Sequence, residues 1–359
     1  MAALQIPPTH RAAATAPSYG VELDSAPGDG VSRLQFSPTG AGTSSEDHLL
    51  VSSWDSSLRL YGASSNTLKL QVDLGAPVLD CCFLGGEEGT ALSGGLDGSV
   101  KRVDLGRGVS TSIGEHEQGV RCVSYLREAD LCVTGSWDRN VCTWDPRRPA
   151  AGAGTSGAVH RIRQEGKVFS MATHAHRLVV AASNRRIAVY DVRRLDMKEA
   201  EIEMNSPLKY QTRCVRCFPN GLGFAVASVE GRVAMEYFSR DADTQAKKYA
   251  FKCHRRVEDG KEIVFPVNCI AFHPSHGTFA TGGCDGVVNV WDGENKKRLY
   301  QYARYRTSIA DLCFNSNGTR LAVAASYTFE QGEKDHDDAI FVRQVQENEV
   351  KPKPRGQKK

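Results

Sequence analysis

The chain has 359 residues, 40 % of them hydrophobic and 8 % aromatic, with 34 glycines and 14 prolines, a balance that suits a large all-β core of many short strands. Net charge is +3, and the last nine residues hold five positive charges, so the remainder carries −2 and lacks the strongly basic footprint of a nucleic-acid binder. No apolar run reaches the length of a membrane span, and eleven cysteines without a secretory signal read as reduced thiols.

Met1 to Gly20 is rich in Ala and Pro without a continuous apolar stretch, and reads as a disordered leader (residues 1–20) rather than a signal peptide. Val21-Glu-Leu23 then precedes the first of seven copies of one pattern. Each copy opens with a short apolar strand and continues with a strand ending in small residues. A tight turn carrying an acidic residue follows, then an alternating strand ending in an aromatic or its substitute. Copy one spans Val31 to Tyr61 and copy two Val78 to Leu105. Copy three is the clearest: Val120-Arg-Cys-Val-Ser-Tyr125, Leu131-Cys-Val-Thr-Gly-Ser136, Trp137-Asp-Arg-Asn140, Val141-Cys-Thr-Trp-Asp145. It also holds a polar tetrad. His116 can bond Asp138, Thr134 can bridge, and the Trp144 indole can donate, which satisfies polar groups between strands. A catalytic reading of His116 and Asp138 is weak, because the repeat places no nucleophile beside them; Asp55, Asp97 and Asp285 read as turn formers.

Gly152-Ala-Gly-Thr-Ser-Gly157 matches a dinucleotide fingerprint, but no strand precedes it and no helix follows, so it reads as an inter-blade loop. Copy four runs from Val168 to Asp191 and copy five from Cys214 to Tyr237. Cys214 and Cys217 have redox or zinc spacing, yet residues three apart on a strand face opposite ways, as do the adjacent Cys81 and Cys82. An insertion from Asp241 to Phe265 contains an outer strand near Tyr249 to His254. Copy six begins at Val267 and ends on Trp291-Asp292. Copy seven, Ile309 to Val345, is interrupted by an acidic loop, Glu330 to Asp338. Residues 348–359 read as a basic disordered tail, suited to nuclear import, to acidic partners, or simply to solvent.

The equivalent strand ends, Tyr61, Val103, Trp144, Tyr190, Glu236, Trp291 and Arg343, lie 41 to 55 residues apart. A period of about 40–45 residues with four strands per unit is that of WD repeats. The expected fold is therefore one all-β domain, residues 21–347: a seven-bladed WD-repeat β-propeller closed by the N-terminal strand Val21-Glu-Leu23, which joins blade seven. Its topology sorts the loops. The start of each first strand, the turn between second and third strands and the exit of the fourth strand share one face. That face is expected to carry Trp54, Trp137, Arg213, Arg232 and Lys252, with Asn184-Arg-Arg186 beside them. Aromatic and arginine side chains are common interface anchors.

Leu208-Lys-Tyr-Gln-Thr-Arg213, Glu230-Gly-Arg-Val-Ala234, Lys247-Lys-Tyr-Ala-Phe-Lys-Cys-His-Arg255, Lys296-Lys-Arg-Leu299, Ser52-Ser-Trp-Asp55 and Gly135-Ser-Trp-Asp138 resemble the spindle-checkpoint propellers of the budding-uninhibited-by-benzimidazole group. The resemblance covers roughly Val21 to Val345; the messenger-RNA export propeller of the nuclear pore is a close cousin. It implies an adaptor without enzymatic activity or cofactor. Its partners would be GLEBS segments of checkpoint kinases and kinase-like proteins, and phosphorylated Met-Glu-Leu-Thr repeats of a kinetochore scaffold. It implies partner binding at Trp54, Trp137 and Arg213 and phosphothreonine binding at Arg232 and Lys252. It implies a monomeric propeller, in nucleus and cytoplasm and at kinetochores in mitosis, with no direct nucleic-acid or membrane contact. The alternative it leaves open is an export adaptor that binds a nucleoporin GLEBS segment.

Overall fold

The structure is a computed structural model that describes residues 19–38, 46–85, 89–148 and 157–352. The Ala/Pro-rich leader up to residue 18, all but the last residue of the Gly152–Gly157 loop, and the tail from residue 353 lie outside the described residues.

Among the described residues, seven four-stranded antiparallel sheets form in chain order, each joining four successive strands except the last. Blade three shows the pattern: Val120–Leu126, Leu131–Ser136, Asn140–Trp144 and Ala158–Arg163, from the inside outwards. The second strands are almost wholly buried and the fourth strands largely exposed, so each blade is apolar on both faces near the axis and polar at its rim. The small residues that end the second strands have a packing reason. A Cβ on Gly94 would lie 2.7 Å from Val120 of the next blade, and one on Gly282 would lie 2.4 Å from Ile309.

The ring closes as its sequence predicts. Val21–Glu22 pairs with Ala339–Gln344 as the outer strand of blade seven, with Val21 opposite Val342, and the Leu23 amide donates to the Ile340 carbonyl at 2.8 Å. Leu23 is buried with Leu34, Leu49, Tyr61, Ile340 and Val342 between blades seven and one. Nearer the axis, the Val31 amide donates to Ser326 Oγ at 2.8 Å. Arg33 reaches Asp80 of blade two at 3.4 Å and Asp311 of blade seven at 3.3 Å.

The ordered body is wider than residues 21–347. Tyr19 packs against Tyr305, with ring centroids 5.1 Å apart, and accepts a hydrogen bond from Tyr305 Oη at 3.1 Å. Beyond residue 347, Glu349 accepts from Tyr302 Oη at 3.0 Å, and Val350 is buried in the cluster between blades six and seven. These contacts rest on side chains far away in sequence, which is why composition alone assigned both segments to the ends. The insertion holds the outer strand of blade five, Tyr249–Lys252, and an unanticipated two-stranded hairpin, Arg255–Glu258 with Lys261–Val264. No helix among the described residues is long and apolar enough to cross a membrane.

Both cysteine pairs split as strand geometry requires. Cys214 packs between blades five and six and Cys217 between blades four and five, while Cys81 and Cys82 enter different clusters. All are free thiols, and burial pushes Cys217 up to about 12, away from redox chemistry at neutral pH.

Leu23→Ala should lower stability by about 2–4 kcal/mol, and deletion of residues 1–23 by more, in urea denaturation. Unchanged midpoints for both would show that another element closes the ring.

Candidate functional site

The turn between second and third strands has one construction. An acidic or amide residue, then a residue in the left-handed region, reverses the chain: Ser56, Gly98, Arg139, Arg185, Gly231 and Gly286 all have φ between 61° and 90°. The residue opening this turn donates its amide to the residue just before the first strand in all seven blades, as in Trp54 to Gly30 and Trp137 to Gly119. The loops sorted to one face by topology do share it.

At the head of this turn stand Trp54, Leu96 and Trp137 on adjacent blades. Trp54 is 41 % exposed and Leu96 is 36 % exposed. Trp137 is half-buried and lies over Gly119, within 3.0 Å of where a Cβ would be. Blades four, six and seven have Ser183, Cys284 and Ser326 at this position and blade five has the smaller, half-buried Val229, so the large apolar side chains stand together on blades one to three. Leu96 is less conspicuous in the sequence than a tryptophan; its place directly before Asp97, as Trp54 and Trp137 precede Asp55 and Asp138, is the signal that marks it.

Arg213 arrives by a different device. Every inner strand slips register near its start, between Val31 and Arg33, Val78 and Asp80, Val120 and Cys122, Val168 and Ser170, Thr212 and Cys214, Val267 and Cys269, and Ile309 and Asp311. A bulge adds an unpaired residue and re-aims its side chain. The bulged residues Ser32, Arg121, Phe169, Arg213, Asn268 and Ala310 line the upper part of the central channel. Arg213 Nε is buried without a hydrogen-bond partner, as is Thr212 Oγ1 beside it. Trp54, Trp137 and Arg213 therefore share a face, the first two on turns and the third in the channel mouth.

Arg232 and Lys252 stand apart from these, towards the rim of blade five. They are direct cross-strand partners, which puts their Cβ atoms about 5 Å apart. The inserted hairpin adds carboxylates that the sequence did not place. Glu262 lies 3.4 Å from Lys252 Nζ and 2.8 Å from Arg255, and Glu230 lies 3.9 Å from Arg232. Arg255 in turn donates to the Glu230 and Gly231 carbonyls, clamping the hairpin to blade five.

The tetrad of copy three is complete. His116 Nδ1 lies 2.9 Å from Asp138 and Nε2 lies 2.7 Å from Thr134 Oγ1, which accepts from the Trp144 indole at 2.8 Å. His116 follows the outer strand of blade two, so the network ties one blade to the next. Carboxylate, imidazole and hydroxyl stand in the order of a hydrolytic triad, but Thr134 and Trp144 are fully buried and no substrate reaches them. Burial opposes ionisation of Asp138; bonds from His116 and Asn140 outweigh it and hold its carboxyl far below the usual range.

Blade six repeats the network. His254 lies 2.8 Å from both Asp285 and Thr281, and Trp291 donates to Thr281 at 2.9 Å. Asp285 is thus more than a turn former. The hairpin lengthens the stretch between His254 and Asp285 and hid the match. Among the described residues no group of three or more His, Cys, Asp or Glu side chains could hold a metal ion.

Closed blades, repeated turns and buried tetrads define a WD-repeat β-propeller. The WD domain, G-beta repeat family model matches residues 108–145 and 251–292, the stretches that hold the two tetrads. Across nearly the whole chain there is similarity to mitotic checkpoint protein BUB3.1 of Arabidopsis thaliana, 53 % identical over 94 % of this chain and 96 % of that protein. Mitotic checkpoint protein bub3 of Dictyostelium discoideum is 44 % identical over 92 % of this chain and 96 % of its own. The mRNA export factor GLE2 of Chaetomium thermophilum is 36 % identical over 93 % of this chain and 92 % of its own. The chain belongs to the BUB3 family, with the GLE2 export factors as close cousins.

Asp138 stabilises the fold through a depressed carboxyl. Its contribution is present above the unfolded value, about 3.9, and is lost as pH falls below it towards the folded one. Asp138→Asn should cost about 2–4 kcal/mol at pH 7 and flatten the acid limb of a stability–pH profile. A profile as steep as that of the parent protein would assign the acid loss elsewhere.

Proposed function

We propose that the chain is a non-catalytic adaptor of the mitotic spindle checkpoint that captures GLEBS segments of checkpoint kinases and kinase-like proteins. It also binds phosphorylated Met-Glu-Leu-Thr repeats of a kinetochore scaffold, and so brings checkpoint proteins to kinetochores. The observation that carries this reading is the pairing of an apolar row, Trp54, Leu96 and Trp137, with the unpartnered Arg213 on one face. An extended segment of acidic and hydrophobic residues fits that pairing. Its apolar side chains cover the row, and a carboxylate meets Arg213 in a bidentate pair. Family membership supplies the cellular setting.

Arg232 and Lys252 are proposed as the phosphothreonine site. A phosphate carries about −1.5 to −2 charges, and a planar guanidinium beside an ammonium supplies complementary donors. Glu262 must swing away from Lys252 for this, a small demand, since an exposed ion pair contributes about 0–1 kcal/mol. The 36 % identity to an mRNA export factor favours a second reading, a nuclear-pore export adaptor binding a nucleoporin GLEBS segment. Mitotic imaging separates the two: kinetochore foci for the first, nuclear-rim staining for the second.

In peptide titrations, Trp137→Ala and Arg213→Ala should each weaken GLEBS capture by about tenfold or more with little change in thermal stability. Arg232→Ala with Lys252→Ala should erase the preference for a phosphorylated over an unphosphorylated Met-Glu-Leu-Thr peptide while sparing GLEBS capture. Parallel loss of folding and capture would make the first pair structural. Undiminished discrimination by the double variant would place the phosphate site elsewhere.

A further inference from the structure

The central channel has an electrostatic imbalance that the face above it does not resolve. Two cavities of about 240 and 440 Å³ follow one another along the axis. Among the described residues, Arg33, Arg121, Arg127, Arg213 and Arg216 line them against only two carboxylates, Asp80 and Asp311. Both carboxylates are committed. Arg33 bridges them, Asp80 accepts from the Val123 amide at 2.8 Å, and Asp311 accepts from the Leu34 amide at 2.9 Å. The other arginines have weaker company. Arg121 donates to the Leu79 carbonyl at 3.2 Å and Arg216 to the Val215 carbonyl at 2.9 Å. Arg213 Nε has no partner. A guanidinium offers five donors, so most donors in the channel remain for a ligand, and an enclosed excess of five cations over two carboxylates is costly.

We propose that the channel binds a compact, multiply charged oxyanion of the phosphate class, held by Arg216 from below and by the bulged Arg121 and Arg213 from above. Arg216 is three residues further down its strand than Arg213, a drop of about 10 Å. A segment lying across the upper face meets Arg213 and stops short of Arg216, whereas a small free anion reaches it. Planar guanidinium groups bind tetrahedral oxyanions through paired donors. Ser170 and Thr173 on the same walls add neutral hydroxyls, and a cavity of 240 Å³ accommodates pyrophosphate with water but not a folded partner. The site is independent of the apolar row and shares Arg213 with the proposed GLEBS capture, so Arg216, which that segment does not reach, tests it separately.

The test is thermal unfolding of the full chain with increasing inorganic pyrophosphate, against sodium chloride at matched ionic strength. Pyrophosphate should raise the midpoint by roughly 2 °C at about ten times its dissociation constant. Arg216→Gln should remove that rise and, by relieving repulsion, unfold no earlier than the parent protein without anion. Isothermal titration of pyrophosphate into the parent protein, and into Arg121→Gln, gives a second measurement that does not depend on one variant folding. Heat of binding in the parent and its loss in Arg121→Gln support the site. No rise beyond that in chloride, or an equal rise in Arg216→Gln, overturns it. So does pyrophosphate affinity that disappears only with Trp54→Ala or Trp137→Ala, since that would put the anion on the upper face.

Discussion

Each blade buries its second strand on both faces, so no blade is stable until a neighbour covers each side, and the last uncovered face must meet the first. Closure is therefore the constraint on which everything else depends. It is met three times over: at the rim by Val21–Glu22 on Ala339–Gln344, in the core by Leu23 among Leu34, Tyr61 and Ile340, and at the axis by Arg33 between Asp311 and Asp80. Other joints have their own fastenings. The His116 tetrad ties blade two to three, and the His254 tetrad ties five to six. Ser170 accepts the Val215 amide between four and five at 3.0 Å.

A rigid ring leaves two kinds of position free of the blade packing, and the upper face carries both. At the turn heads, Trp54, Leu96 and Trp137 cost the fold little because their backbones are already fixed by the hydrogen bond from their own N–H to the carbonyl just before the first strand. Bulged residues project inwards, and Arg121 and Arg213 owe their direction to a register slip common to all seven blades. The repeat thus sets one turn head and one bulge per blade on one face, and residue type distinguishes an apolar side, with Trp54, Leu96 and Trp137, from a cationic one at Arg213.

Much of this was legible without coordinates because the information is local. Period-two strands, an acidic turn and a terminal aromatic recur in Val120 to Asp145 and in Val267 to Asp292, and they settle blade number, order and shared face. Arg232 and Lys252 were placed near one another by the same logic, and the register makes them direct partners. What escaped depended on contacts between distant stretches or on insertions. His254 was hidden by the hairpin between it and Asp285, although Thr281, Asp285 and Trp291 keep the spacing of Thr134, Asp138 and Trp144. Glu262 sits over Lys252 only because Arg255 clamps the hairpin down. Val350 looks like part of a charged tail until Tyr302 and Arg343 are seen to hold Glu349 beside it. Arg121 and Leu96 were readable from the repeat, but only once bulge and turn head are treated as the functional positions.

The proposed capture uses one face of a closed ring, on fixed backbone and without opening the blades. Hydrogen–deuterium exchange with and without a bound GLEBS peptide tests it most directly. Protection is expected at the turns 54–56, 96–98 and 137–139 and at the first-strand starts near Arg121 and Arg213, with the opposite face and the blade-seven closure unchanged. Protection on the opposite face, or increased exchange along Val21–Glu22 and Ala339–Gln344 on binding, would contradict it.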